Sequence, residues 1–160
     1  IGAQAAFPDR QVISMSGDGG FTMLMGDFLT LAQQDLPVKV IVFNNSSLGF
    51  VAMEMKAAGY LETGTDLKNP DFAALARAAG IHGIRVEEPV ELECGIEAIL
   101  RHPGPALLDV VTNSQELSIP PKIEAAQVMG MSLWAAKAVM NGRGDELVDV
   151  TVSNFFSRRR

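Results

Sequence analysis

The sequence predicts an α/β domain built on a doubly wound parallel sheet with helices on both faces. Short apolar runs alternate along the chain with longer segments of helical periodicity, an order typical of parallel strands joined by helical crossovers. The run at 106–111 is apolar at nearly every position, which indicates a strand covered on both faces. With 160 residues, of which 48% are hydrophobic and 20% charged, the chain can bury a proper core.

The first predicted unit is a strand, a helix and a second strand. Residues 11–16 and 38–43 are the apolar runs, and residues 21–34 lie between them. The apolar residues of this middle segment recur at helical spacing: Phe21, Leu24, Phe28 and Leu31. We therefore expect a right-handed crossover that leaves the two strands parallel.

Five more elements follow: a helix from 69 to 80, a strand at 83–86, a helix at 89–101, a strand at 106–111 and a helix at 122–141. Asn69 is expected to be the N-cap of the first of these helices, with Pro70 at its first position. We expect the main domain to cover residues 1–118, a helical extension residues 119–144, and a tail residues 145–160.

Composition excludes several classes of function. A formal net charge of −6 argues against nucleic-acid binding, and no apolar run is long enough to cross a bilayer. The single cysteine, Cys94, cannot form an internal disulfide, which favours the cytoplasm. The N-terminus has no initiator Met and no basic signal region, so we expect the domain to be truncated there.

The motif that carries chemistry is Gly17-Asp18-Gly19 together with Asn44-Asn45. Each half follows a predicted strand, and the carboxyl ends of parallel strands meet at one sheet edge, where open α/β folds bind ligands. Asp18 offers a charged oxygen and Asn45 a neutral one, a set that suits Mg²⁺ holding a diphosphate. The glycines leave room for phosphate against the backbone, and a helix starting near Gly20 would point N–H groups at it.

Other interpretations of this motif are weaker. A lone Gly-Asp-Gly is usually a tight turn with a capping aspartate, and only the paired Asn44-Asn45 raises it to a candidate site. A dinucleotide fingerprint requires Gly or Ala where the chain has Thr22, and the Gly-Lys-Ser/Thr run of a P-loop is absent.

This constellation resembles the cofactor motif of thiamine diphosphate-dependent enzymes. The chain is similar to the C-terminal, pyrophosphate-binding domain of the pyruvate oxidase branch, and most similar to its bacterial quinone-linked, acetate-forming members. The similar stretches are residues 17–31, 36–60, 119–121 and 142–146. The block at 36–60 is the specific part.

The resemblance implies a cofactor and metal site. Asp18 and Asn45 would coordinate Mg²⁺ through their side chains, and Ser47 through its backbone carbonyl oxygen. The implied cofactor-binding residues are Gly17, Asp18, Gly19, Gly20, Asn45, Ser47, Leu48 and Gly49.

Three further residues are expected to face the substrate: Phe50, Val51 and Glu54. On a helix these positions share one face, so the arrangement is geometrically reasonable. The alternative is core packing for the two apolar residues and a solvated carboxylate for the third.

The activity implied is oxidative decarboxylation of pyruvate to acetate and CO₂, with electrons passing to FAD and then to a membrane quinone. FAD would be bound mainly by a domain absent from this chain. A catalytic glutamate would come from a neighbouring subunit, so we expect at least a dimer, with a tetramer favoured. The protein would be cytoplasmic and peripheral on the inner face of the cell membrane, and this chain alone is expected to be inactive.

Rival functions stay open. Another branch of the same superfamily, such as a phosphate-dependent pyruvate oxidase or an acetohydroxyacid synthase, would carry the same motif. From a different class, the chain could be a non-catalytic cofactor-binding or membrane-recruitment module with a decayed site.

The tail at 145–160 is a candidate lipid-binding segment. A helical wheel places Leu147, Val148, Val152 and Phe155 on one side, and three arginines follow at 158–160. Alternation of Val148, Val150 and Val152 leaves a strand open as the alternative.

Overall fold

The computed structural model describes residues 1–116 and 124–156, without the side chains of residues 155 and 156. These residues form two compact units, each made of two chain segments. The first contains Ile1–Ser46 and Lys68–Thr112, and the second contains Ser47–Leu67 and the described residues from Asn113 onward.

The first unit is built on a four-stranded sheet. Its strands are β1 (Ile13–Gly17), β2 (Lys39–Asn44), β3 (His82–Val86) and β4 (Ala106–Val111). All neighbours are parallel, in the order β1-β2-β4-β3. This confirms the predicted parallel α/β sheet, and β4 has the predicted bounds.

The helices, in chain order, are α1 (Gly2–Ala6), α2 (Asp18–Met23), α3 (Leu29–Gln33), α4 (Gly49–Ala57), α5 (Phe72–Ala78), α6 (Leu92–Arg101), α7 (Ala125–Met140) and α8 (Gly144–Thr151). Single 3₁₀ turns at Met25–Phe28 and Pro89–Glu91 precede α3 and α6. A π-helical turn, Val152–Phe156, follows α8.

Helices cover both faces of the sheet, as predicted. On one face Phe21, Phe28 and Phe72 pack against Val42 and Leu107. On the other, α6 packs against β3 and β4 in a cluster of Val86, Ile99, Ala106, Leu108 and Val110. Because side chains alternate along each strand, Leu107 and Leu108 belong to opposite cores.

The prediction of one continuous helix over residues 21–34 is wrong. The observed helix α2 begins earlier, at Asp18, and ends at Met23, because Leu24 leaves helical geometry at φ −122°. Leu24 is 72% exposed and does not join the core. Gly26, a weak helix former, lies in the 3₁₀ turn that follows. Phe28 and Leu31 nevertheless lie in the core, as their spacing from Phe21 predicted.

The N-cap predicted for the helix from 69 to 80 is also wrong. α5 begins at Phe72, and its N-cap is Asp71, whose carboxylate accepts from Ala74 N at 2.7 Å. Asn69 lies outside the helix because its side chain makes other hydrogen bonds, described below.

The second unit packs α4, α7 and α8 around Trp134. Trp134 is 1% exposed and lies with Ala138 and Val150 in one cluster. Lys56 of α4 is buried as well: it pairs with Glu62 and lies 5.4 Å from the centre of the Trp134 ring. No helix among the described residues is both long and apolar enough to span a membrane.

The tail is helical as far as the structure describes it, so the strand alternative is wrong. Its buried face carries Val150 and Leu147, whereas Val148 and Val152 are 58% and 49% exposed. The predicted grouping of Leu147 with Val148 and Val152 therefore fails, because the helix turns Leu147 inward. The arginines at 158–160 and the stretch at 119–121 lie outside the described residues.

Candidate functional site

Asp18 is the centre of the candidate site. It follows β1, is the first residue of α2, and is only 2% exposed. Its Oδ1 accepts from Gly19 N at 2.8 Å. Its Oδ2 accepts from Ser46 N at 2.7 Å and from Asn69 Nδ2 at 2.7 Å. These bonds fix the carboxylate at the carboxyl end of β1, where the sequence predicted it.

A chain of side-chain hydrogen bonds leads from Asp18 into the sheet. Asn69 Nδ2 also donates to Asn44 Oδ1 at 3.0 Å. Asn44, at the end of β2, donates from Nδ2 to Asp109 Oδ1 at 3.0 Å. Asp109 lies within β4 and is fully buried. Two carboxylates are thus linked through two amides.

Arg85 of β3 compensates the buried charge of Asp109. Its Nη1 donates to Asp109 Oδ2 at 2.6 Å, and Phe72 N donates to the same oxygen at 3.2 Å. The hydrogen bond from Arg85 to Glu87, and then the contacts with Asp109, raise the pKa of the guanidinium against the opposing effect of burial. Asp109 therefore has a permanent cation beside it.

The turn after β2 belongs to the first unit and carries Asn45, from the second half of the motif. Asn45 is half-buried, and Ser46 adopts the left-handed conformation with φ 55°. That conformation, uncommon for a residue other than glycine, lets Ser46 N reach Asp18 Oδ2. Asp18 and the turn that carries Asn45 are thus joined directly.

The backbone beside Asp18 is open. A Cβ added at Gly17 or at Gly20 would meet no atom within 4 Å. A bulky group can therefore approach the backbone on either side of the carboxylate.

The second unit contains the other predicted cofactor residues. Ser47 pairs with Asp66 in an isolated antiparallel bridge, and Leu48 N donates to Thr65 O at 2.8 Å. These bonds fix the entry to α4, which begins at Gly49. The assignment of the Ser47 carbonyl as a metal ligand stays a prediction, as do the roles of Leu48 and Gly49.

The predicted substrate-facing residues lie on the outer side of α4. Phe50 is 71% exposed and Val51 46%, so neither packs in the core of this unit. Glu54 lines a cavity of about 660 Å³ together with residues of α7 that include Met129 and Leu133. Their substrate-facing role stays a prediction.

Sequence reasoning missed Asn69, Asp109 and Arg85 and gave Asn44 no role of its own. One signal was available: Asp109 is a lone carboxylate in an otherwise apolar strand, and such a group is seldom buried without partners. Asn69 offered no comparable signal, because Asn before Pro is also typical of a helix start.

Comparisons with known proteins agree with this geometry. Residues 1–110 match the family model described as the thiamine pyrophosphate enzyme, C-terminal TPP binding domain. The chain belongs to this family. The motif around Asp18 is therefore part of a thiamine diphosphate-binding domain.

Individual relatives come from several branches of the family. The putative thiamine pyrophosphate-containing protein YdaP of Bacillus subtilis is 36% identical over 137 residues, covering 86% of this chain and 24% of that protein. The acetolactate synthase large subunit of Parasynechococcus marenigrum is 36% identical over 138 residues, covering 82% of this chain and 22% of that protein. The chain thus spans about a quarter of the length of these relatives.

A solved structure shows the same fold. It is the thiamine diphosphate-dependent 4-hydroxybenzoylformate decarboxylase of Rhodococcus jostii RHA1, with a TM-score of 0.66 and 34% identity. The match covers 71% of this chain and 22% of that one.

The residues present fit magnesium diphosphate. The described residues contain no cluster of three or more His, Cys, Asp or Glu side chains. Asp18 is instead a single buried carboxylate with an open glycine backbone beside it, which fits a cation that takes its remaining ligands from phosphate and water.

Proposed function

We propose that this chain is the thiamine diphosphate- and Mg²⁺-binding domain of a longer enzyme that decarboxylates a 2-oxo acid. The observation that carries the proposal is the buried, threefold hydrogen-bonded carboxylate of Asp18 at the carboxyl end of β1. When bound, the cofactor supplies a carbanion equivalent for addition to the keto carbon.

This chain's own residues would bind and orient the cofactor. Asp18 and Asn45 would hold the cation, and the open backbone at Gly17 and Gly20 would admit the diphosphate. Phe50, Val51 and Glu54 of α4 would contact the substrate, with the exposed apolar pair excluding water.

The finer assignment is a pyruvate:quinone oxidoreductase that forms acetate and CO₂. It rests on the resemblance of residues 36–60 and requires FAD bound outside this chain, together with at least one further subunit. The main alternative is acetolactate synthesis, which the name of the Parasynechococcus marenigrum relative supports. Both begin with the same decarboxylation and differ in the acceptor.

Replacing Asp18 tests the site. In the full-length natural protein, Asp18→Ala should abolish Mg²⁺-dependent binding of thiamine diphosphate, because the buried carboxylate is the only charged oxygen assigned to the cation. Calorimetric titration of the apoprotein at several Mg²⁺ concentrations measures this. The matched control is Asp27→Ala, which removes an exposed carboxylate from the 3₁₀ turn after α2. Unchanged binding in Asp18→Ala would defeat the site assignment.

Product analysis tests the finer assignment. Pyruvate-dependent ferricyanide reduction should require thiamine diphosphate and Mg²⁺ but not phosphate. A phosphate requirement would indicate the acetyl phosphate-forming oxidase. Acetolactate without dye reduction would indicate the synthase.

A further inference from the structure

We infer that Asp109 is a positioning residue for the cation site. Through Asn44 and then Asn69, it sets the orientation in which Asp18 presents its Oδ1 to the metal. This inference rests on the proposed function and adds to it a residue remote in sequence from the motif.

The hydrogen bonds between Asp18 and Asp109 have a fixed order of donors and acceptors. Both ends are carboxylates, and ionised carboxylates only accept hydrogen bonds. Asn44 must therefore turn its NH₂ toward Asp109, which leaves its Oδ1 for Asn69. Asn69 must in turn donate to both Asn44 and Asp18. Neither amide can flip without placing two acceptors or two donors against each other.

The two carboxylate oxygens of Asp18 differ in their hydrogen bonds. Each carboxylate oxygen has two lone pairs, and Oδ2 receives two donors, Ser46 N and Asn69 Nδ2. Oδ2 is therefore saturated. Oδ1 accepts from Gly19 N and has a second lone pair for a cation. By donating to Oδ2, the amide of Asn69 thus leaves Oδ1 as the oxygen that Asp18 presents to the cation.

Asp109 is the fixed end of this series of hydrogen bonds. Asp109 is 0% exposed, and Arg85 and the Phe72 amide hold its Oδ2. Its Oδ1 is thereby directed at Asn44. Since β4 and β2 are neighbours in the sheet, Asp109 can move relative to Asn44 only if the sheet itself moves.

The test is Asp109→Asn in the full-length natural protein. The amide introduced at position 109 can donate a hydrogen bond to Asn44. Asn44 is then free to flip, and the order of donors and acceptors between Asp109 and Asp18 is lost. The Mg²⁺ concentration for half-maximal thiamine diphosphate binding should rise about tenfold, the lower end of the range seen when partners of metal ligands are removed. At saturating Mg²⁺ the cofactor affinity should return to the wild-type value, which a general loss of folding would not allow.

The matched control is Glu87→Gln. Glu87 is the other acidic partner of Arg85 and lies on the surface, so its replacement disturbs Arg85 without touching the chain of amides. Its Mg²⁺ dependence should equal that of the wild type. An equal rise in Glu87→Gln and Asp109→Asn would overturn the inference, because the effect would then belong to Arg85.

A second variant covers the case in which Asp109→Asn does not fold. Asn44→Ala removes the side chain in the middle of this series of hydrogen bonds. It leaves the hydrogen bonds of Asp109 with Arg85 and Phe72 in place. It should raise the half-maximal Mg²⁺ concentration by a similar factor. Where Asp109→Asn does fold, combining it with Asn44→Ala should raise that concentration no further than either substitution alone, since both act along one series of hydrogen bonds.

The outcomes separate this inference from the proposed function. A wild-type Mg²⁺ requirement in Asp109→Asn or Asn44→Ala, together with loss of Mg²⁺-dependent thiamine diphosphate binding in Asp18→Ala, would overturn the role of Asp109 alone. An unchanged Mg²⁺ requirement in Asp18→Ala would defeat the proposed function itself.

Discussion

At the scale of single residues, a second group of polar side chains lies at the amino ends of the strands, and Lys39 is its buried member. Lys39 is 2% exposed, and its ammonium donates to the carbonyl oxygens of His102 and Gly104 at 2.6 and 2.5 Å. These carbonyls follow the C-terminus of α6, where a cation is favourable. His102 stacks on His82 with ring centroids 4.5 Å apart. Burial, and then the nearby His82 and Lys39, lower the pKa of His102.

This lowered pKa predicts a loss of stability on mild acidification. The unfolded chain takes up a proton at His102 near its ordinary value of 6.5, before the folded protein does. The free energy of unfolding should therefore fall as pH drops below that value, until the lower folded pKa is passed. Urea midpoints measured at intervals between pH 7.5 and 5 would show the slope, which His102→Gln should reduce.

His82→Gln provides the comparison for that prediction. It keeps His102 but removes one cause of the lowered pKa, so the slope should fall only in part. Equal slopes in the wild type and in His102→Gln would contradict the explanation.

At the scale of elements, the second unit depends on one close helix crossing. A Cβ added at Gly130 of α7 would lie 1.7 Å from the carbonyl oxygen of Ala57 in α4. The close approach places Trp134, one turn further along α7, beside Lys56. α4 also carries Phe50, Val51 and Glu54, so the crossing fixes the helix that bears the proposed substrate contacts.

Gly130→Ala should therefore destabilise the protein by about 1–3 kcal/mol, the usual range for overpacking. The backbone carbonyl of Ala57 cannot move aside as a flexible side chain would. Chemical denaturation followed by Trp134 fluorescence measures the change. Ser132→Ala, at an exposed position of the same helix, should leave stability nearly unchanged, and similar losses in the two variants would refute the crossing as the cause.

At the scale of the whole molecule, the tail, for which the sequence predicts lipid binding, contributes a residue to a core. Val150 is 4% exposed beside Trp134, whereas Val148 and Val152 are exposed. Deleting residues 145–160 would remove a core residue. A loss of lipid binding in such a deletion would not separate the packing role of the tail from membrane binding.

Substitution separates the two roles. If the tail binds lipid, Val148→Ser combined with Val152→Ser should weaken binding to anionic phospholipid vesicles and leave the melting temperature unchanged, because both side chains are already solvated. Val150→Ser should instead destabilise the protein by about 1.5–3 kcal/mol, the contribution of a fully buried valine. Vesicle co-sedimentation and thermal unfolding give the two readouts. Unaltered sedimentation of the double variant would remove the lipid proposal.

The sequence by itself determined the class of fold and the first half of the site. Apolar runs and helical spacing are local properties, so β4 was predicted with its observed bounds. The placement of Asp18 beside the turn after β2 followed from the rule that parallel strands end at one edge. Local patterns also predicted the wrong N-cap, at Asn69, and an unbroken helix across Leu24. Both predictions failed because the residue that caps a helix and the point where a helix breaks depend on tertiary packing.

Only the tertiary structure decided which side chains support Asp18. Asn69 is 51 residues away along the chain, and Asp109 lies 65 residues from Asn44. Their proximity depends on the strand order β1-β2-β4-β3, which places β4 beside β2. Strand order is fixed by the packing of all the crossovers together, and no local spacing encodes it. A buried hydrogen-bonded chain that crosses neighbouring strands is therefore visible only after the sheet is assembled.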